Sequence, residues 1–154
     1  ANLFLRCWTI SYVGVLSQET REAMTLVSAV ELWEKALTTN LERKTVLAIE
    51  NNELLGIFRV GSDPKDSLRT HLFSLYISPD FAGKGFGKTL LEAAIEEIKT
   101  QGFNAMSLWV FDENKIAKSL YAKYGFVATG ESRTTPEWNA LEIEMLNPQI
   151  TLKS

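Results

Sequence analysis

At 154 residues, with 45% hydrophobic and 23% charged residues, the chain has the composition of a soluble globular protein of one domain. Its formal net charge of -3, from 16 Lys+Arg against 19 Asp+Glu, leaves no basic field for holding nucleic acid through its phosphates. One cysteine, Cys7, and one histidine, His71, exclude an internal disulfide and leave little for a zinc site.

Apolar runs are far shorter than a bilayer span and no charged-then-apolar leader opens the chain. A cytoplasmic, metal-free protein without membrane association is the expectation. No repeat or low-complexity linker divides the chain, so residues 1–154 read as one domain.

In chain order, the first forty residues read as helical and irregular. Ser28-Ala-Val-Glu31 has capping-box spacing and precedes a stripe of Val30, Trp33, Ala36 and Leu37. Thr45–Glu50 and Glu53–Val60 are aliphatic and joined by Asn51-Asn52, two residues that tolerate positive φ, which predicts a tight antiparallel hairpin. Gly61–Leu68 is polar, contains Asp63-Pro64 and reads as a loop.

The pattern then changes. His71–Ile77 predicts a strand, Gly85–Gln101 a helix, Asn104–Phe111 a strand and Asn114–Tyr124 a second helix, with strands near Phe126–Glu131 and Ala140–Met145. Leu91, Ala94, Ile95 and Ile98 share one face of the first of these helices, and Gly102 stops it. A strand–helix–strand unit of this length implies two parallel strands. Added to the hairpin, it gives a mixed sheet in an α/β fold.

Phe81-Ala82-Gly83-Lys84-Gly85-Phe86-Gly87-Lys88 joins a strand to a helix start. Such a turn is an anion site. Closely spaced glycines let the backbone approach an oxyanion, and the first helical N–H groups are unpaired at the positive end of the dipole. Ala82-Gly-Lys-Gly-Phe-Gly87-Lys88-Thr89 also approximates a nucleotide P-loop. Its first glycine is replaced by Ala82 and a hairpin precedes it, both of which argue against that assignment. The glycines run G-x-G-x-G, which departs from the dinucleotide fingerprint.

Together with Asn114-Lys-Ile-Ala117-Lys-Ser-Leu120-Tyr121-Ala-Lys-Tyr124-Gly125-Phe126, this turn resembles the GNAT superfamily of acetyl-CoA-dependent N-acetyltransferases. Leu75-Tyr76-Ile77-Ser78-Pro79 followed by Gly83–Lys88 is similar to that family's acyl-CoA segment, and Asn114, Ala117, Leu120-Tyr121 and Gly125-Phe126 to its second signature. The close match covers about a third of the chain. The resemblance implies a GNAT-like sheet with antiparallel N-terminal strands, a splayed central parallel pair and flanking helices.

It also implies roles. The backbone of the Leu75-Tyr76-Ile77 segment, through Leu75 and Ile77, would bond the acyl group and pantetheine of acetyl-CoA. Amides of Gly83, Lys84, Gly85, Phe86, Gly87 and Lys88 would cradle the pyrophosphate. Asn114 would cap its helix and touch the pantetheine, and Tyr121 would protonate the departing thiolate. From the residues alone, Tyr121 and Tyr124 both lie on a stripe that suits core packing, and Tyr124 is assigned to packing.

Two positions depart from the family. Ala82 stands where Arg or Gln is usual, and Phe73 and Trp109 stand where several relatives carry a catalytic Glu. An attacking amine must be deprotonated. His71, Asp112, Glu113 and bulk water are the alternatives; His71 reads as an exposed strand-end residue, and no protein base is assigned.

The expected reaction is direct ternary-complex transfer of acetyl to a primary amine of a small molecule or peptide, arriving beside Trp8, Tyr12 and the Arg133–Asn139 loop. Cys7, remote from any recognisable base, is not assigned a covalent role. The acidic balance favours cationic acceptors. The alternatives are a CoA-binding regulatory module and a P-loop nucleotide-binding protein. The family's usual first strand is hard to find before Trp8, with Leu3–Leu5 the place for a remnant; an exposed terminal strand would suit a homodimer.

Overall fold

The computed structural model describes residues 1–150; residues 151–154, the end of the stretch read as one domain, lie outside the described residues. Three helices open the chain: α1 (Asn2–Arg6), α2 (Gln18–Ala23) and α3 (Leu26–Thr39), with a π-turn at Cys7–Ser11 directly after α1. Leu3–Leu5 is therefore helical and no strand remnant. The capping box is also misplaced. The N-cap is Thr25, whose hydroxyl accepts the Ser28 amide at 3.1 Å, and Ser28 lies inside α3. Its buried stripe is Ala29 and Trp33, while Val30 and Leu37 stay 37% and 47% exposed.

Six strands form one sheet: β1 (Lys44–Glu50), β2 (Glu53–Asp63), β3 (Asp66–Ile77), β4 (Met106–Phe111), β5 (Val127–Thr135) and β6 (Ala140–Asn147), in the order β1-β2-β3-β4-β6-β5. Asn51 and Asn52 turn the first hairpin at φ 50 and 61. The polar stretch expected as a loop is strand instead. β2 runs to Asp63, β3 starts at Asp66, and only Pro64-Lys65 turns between them. Asp63 explains this: its buried carboxylate accepts the Lys65 amide at 2.7 Å and the Arg69 guanidinium at 2.6 Å, which ties the end of β2 to the start of β3 although the residues between them are exposed.

All pairings are antiparallel except β3 with β4. That parallel ladder spans only Thr70–Leu72 against Met106–Leu108. On its other edge β3 bulges, because Arg59 pairs Ser74 and Val60 pairs Leu72, leaving Phe73 unmatched. β3 and β4 thus part company after Leu72 and Leu108, opening a gap in the middle of the sheet.

Helix α4 (Phe86–Thr100) covers one face through Leu91, Ala94, Ile95 and Ile98, all at most 1% exposed, against Leu72, Met106, Leu108 and Val110. On the other face α1, the π-turn and α3 bring Phe4, Trp8 and Trp33 over Ile57 and Tyr76. Helix α5 (Lys115–Lys123) is bounded as expected, with the Asn114 side chain capping the Ala117 amide at 3.1 Å and Gly125 at φ 83 just past its end. A Cβ at Gly125 would press on Asn147 Nδ2 at 3.0 Å, so a larger residue there would have to shift that side chain as well as adopt positive φ. None of the helices among the described residues is long and apolar enough to cross a membrane.

Candidate active site

The gap between β3 and β4 opens into a cavity of about 1000 Å³. Leu75, Tyr76 and Ile77 line it from β3, Asn114, Ala117, Leu120 and Tyr121 from α5, and Trp8 and Tyr12 from the opening helical segment. The structure therefore brings Tyr121, Asn114 and the Leu75–Ile77 segment to one space. Residues 83–88 do not line it. The cavity ends at Pro79 and Ala82, and the glycine turn follows directly in the chain. Lys88 instead borders a second hollow with Glu92, Tyr124 and Asn147.

The turn has the form an anion site needs. Gly83 and Gly85 sit at φ 73 and 85, and a Cβ at either would meet nothing within 4 Å, so open space faces both. The first helical amide to reach a carbonyl is that of Thr89, bonding Gly85 at 3.2 Å. This leaves the amides of Phe86, Gly87 and Lys88 without an intrahelical partner. Phe86 packs edge-on against Phe81, ring centroids 5.3 Å apart, which steadies the turn from behind.

Tyr121 is 8% exposed and packs on Phe126. Burial alone pushes its phenol up to about 12, so at neutral pH it is a protonated group facing the cavity. Tyr124 is half-buried and donates to Glu92 at 2.5 Å, a structural bond. Burial likewise raises the phenols of Tyr12 and Tyr76. The π-turn sets Cys7 against β3, where its thiol donates to the Ile77 carbonyl at 3.1 Å. One of the two backbone groups expected to hold the acyl arm is thus already engaged.

The three residues weighed for a base come out differently from one another. Asp112 is paired with Lys118 at 2.6 Å, Glu113 lies on the surface near Lys115, and neither lines the cavity. His71 is not exposed: it is 7% accessible, and burial pulls its pKa down to about 4. The cations of Lys65 and Arg133 lie over the Trp109 ring, 5.0 and 4.3 Å from its centroid.

Carboxylates enter from β6, a strand expected from the sequence but not assigned to the site. In register, Glu144 pairs Trp109 and Glu142 pairs Phe111, and both glutamates are buried cavity residues. Glu142 is held by Arg133 at 2.8 Å and Glu144 by Lys65 at 3.1 Å. Alternation of Leu141, Ile143 and Met145 with these glutamates suits a strand whose charged face is wet; the structure instead buries Glu142 and Glu144 against the cavity and leaves Leu141 47% exposed. Arg133 itself lies in β5, so the expected Arg133–Asn139 loop shrinks to the turn after Thr135, from which Trp138 reaches the cavity. Among the described residues no group of three or more His, Cys, Asp or Glu could hold a metal ion.

Comparison with known proteins bears on the fold and the family. Over 78 residues the chain is 38% identical to a ribosomal-protein-alanine N-acetyltransferase of Haemophilus influenzae, covering 51% of each. Over 125 residues it is 28% identical to a spermidine N(1)-acetyltransferase of Thermoplasma acidophilum, covering 77% of this chain and 74% of that one. Matches to relatives from Methanocaldococcus jannaschii and Paenarthrobacter aurescens each span only 24% of those proteins. In structure it is similar to the PaiA N-acetyltransferase of Thermoplasma acidophilum in complex with coenzyme A, at TM-score 0.70 and 22% identity over 96% of this chain and 89% of that one, a likeness of fold. The family model for GNAT acetyltransferases matches residues 3–126, and the chain belongs to the acetyltransferase (GNAT) family.

Proposed function

We propose that residues 1–154 form one acyltransferase domain that moves the acetyl group of acetyl-CoA to a primary amine by direct attack in a ternary complex, in the cytoplasm. The observation that carries this reading is the short β3–β4 ladder. Because pairing stops at Leu72 and Leu108, the edge of β3 beyond Phe73 has no partner strand on that side, and an extended pantetheine arm completes it. Leu75 supplies free backbone groups there, and Asn114 borders the arm from α5. The amides of residues 83–88, apart from that of Lys84, which donates to the Phe81 carbonyl at 3.4 Å, receive the pyrophosphate at the start of α4, with the Lys84 and Lys88 side chains adding charge.

Tyr121 then acts as general acid. A phenol that burial keeps protonated can deliver its proton to a thiolate leaving beside it. The acceptor enters from the opposite end of the cavity, past Trp8, Tyr12, Trp138 and Arg133. Known relatives include enzymes named for spermidine and for an alanine of a ribosomal protein, which supports an amine acceptor carried by a small molecule or a peptide.

The test is thiol release from acetyl-CoA with a panel of polyamines, amino acids and peptide amines. Calorimetry with coenzyme A and with Mg-ATP accompanies it. Binding of ATP with indifference to coenzyme A overturns the reading, and tight coenzyme A binding with no turnover on any amine reduces it to a binding module.

A further inference from the structure

The acetyltransferase reading leaves one chemical task unassigned: removal of the proton from the attacking amine. The strands on either side of the gap carry a connected chain of polar groups that ends in a free lone pair. His71 and Ser107 are register partners in the short β3–β4 ladder. Their neighbours Leu72, Met106 and Leu108 face α4, so alternation turns His71 and Ser107 to the opposite face, with Trp109 and Phe111. His71 Nδ1 lies 2.7 Å from Ser107 Oγ, and Ser107 Oγ donates to the carboxylate of Asp63. Arg69 closes the chain at Asp63, 2.6 Å away.

Donor and acceptor roles are fixed from the far end. Burial favours the acid form of Asp63, but hydrogen bonds from Ser107, the Lys65 amide and Arg69 outweigh it and hold the carboxyl below its usual range. Ionised, Asp63 can only accept, so the Ser107 hydroxyl proton points to it. Ser107 Oγ must then accept from His71, which puts the imidazole proton on Nδ1 and the lone pair on Nε2. Nε2 has no hydrogen-bond partner among the described residues and is no sealed orphan atom; it opens on the cavity that His71 lines.

We propose that His71 is the general base of the transfer, with Ser107 and Asp63 as positioning residues that fix its tautomer. This assignment rests on the acetyltransferase reading. As the amine nitrogen bonds the thioester carbon, its proton passes to Nε2. The C–S bond breaks, its electron pair leaves on sulfur, and the thiolate takes the Tyr121 proton. The imidazolium then loses its proton to water and the phenolate regains one, so the sum is amine plus thioester giving amide plus thiol.

The groups facing the imidazole shape its titration. Asp63 from β2 and Glu144 from β6 favour the charged form; Arg133 from β5 and Arg43 ahead of β1 oppose it, alongside burial, and Phe73 stacks edge-on against the ring. The result is an imidazole that is unprotonated at neutral pH, as a base must be before reaction.

Because His71 is the sole histidine, its tautomer can be read without assignment in the full chain carrying 15N-labelled histidine. The Nδ1–H tautomer is expected at pH 7, giving way toward Nε2–H in Ser107→Ala. In thiol-release assays His71→Gln is expected to lower kcat by about tenfold to a thousandfold with the acetyl-CoA KM unchanged, and Ser107→Ala to lower it less, with Ser107→Thr restoring it. Turnover of His71→Gln within about threefold of the wild type, or an Nε2–H tautomer in the wild type, overturns the assignment. Complete absence of thiol release by the wild type overturns the acetyltransferase reading and the base with it.

Discussion

The thiol of Cys7 is hydrogen-bonded to the carbonyl oxygen of Ile77 at 3.1 Å, which ties the π-turn to the last residue of β3. This contact puts a sulfur nucleophile beside the gap where acyl transfer is proposed, so its chemistry has to be decided. Burial pushes the thiol up to about 11, against smaller opposing effects from Ser11 and Arg6, and the attacking form of a cysteine is the thiolate. Iodoacetamide at pH 7.5 is expected to modify Cys7 at least about tenfold more slowly than a free peptide thiol. Intact-mass measurement after incubation with acetyl-CoA alone is expected to show no acetyl adduct, and an adduct on Cys7 would restore a covalent intermediate.

Tyr121→Phe deletes one oxygen from a buried ring and leaves its packing on Phe126 in place. Turnover is expected to fall by about tenfold to a thousandfold, with coenzyme A affinity by calorimetry within about twofold. An undiminished rate removes the acid role from Tyr121. Tyr124→Phe is the control on the same helix: it loses a bond to Glu92 and is expected to cost stability of about 1 kcal/mol without a comparable loss of rate.

Gly85 combines the left-handed φ of 85 with open space in front of its Cβ position. Gly85→Glu puts a carboxylate where the pyrophosphate is proposed to lie and is expected to abolish coenzyme A binding in calorimetry. The strain of a non-glycine residue there costs about 1–2 kcal/mol, which Gly85→Ala measures separately in a thermal melt. A folded Gly85→Glu protein that binds coenzyme A normally would move the site elsewhere.

Local signals in the sequence were sufficient where a single element decides the outcome. Asn51-Asn52 set the hairpin, Asn114 and Gly125 bounded α5, and the glycine turn marked the start of α4, because φ preference and capping act over a few residues. What escaped is the charged wall of the cavity. Asp63, Glu142, Glu144, Lys65 and Arg69 come from three strands and a turn, and each looks like a solvent residue in its own segment. Asp63, Glu142 and Glu144 are buried because of which residues the sheet brings beside them, and no short window encodes that. His71 was misread for the same reason: its partner Ser107 is 36 residues away, and only the parallel ladder brings the two into register. The displaced start of α3 has a local cause, since Thr25 offers the same hydroxyl cap as Ser28 one turn earlier.

The buried imidazole also makes stability depend on pH. In the unfolded chain His71 takes up a proton near pH 6.5, whereas burial holds the folded group at about 4, so acid favours the unfolded state throughout that interval. The contribution is complete above pH 6.5 and is lost as the pH falls toward 4, by roughly 2–4 kcal/mol. Asp63, held low in the fold, adds its own loss only as the pH falls through the normal carboxylate range, below the histidine window. Urea unfolding at pH 7.5, 6.0 and 5.0 is therefore expected to show stability dropping steadily in the wild type. His71→Gln, which cannot titrate, is expected to be nearly level over the same range. A wild type equally stable at pH 7.5 and 5.0 would mean that His71 protonates alike in both states and that burial beside Ser107 and Phe73 does not hold the proton off.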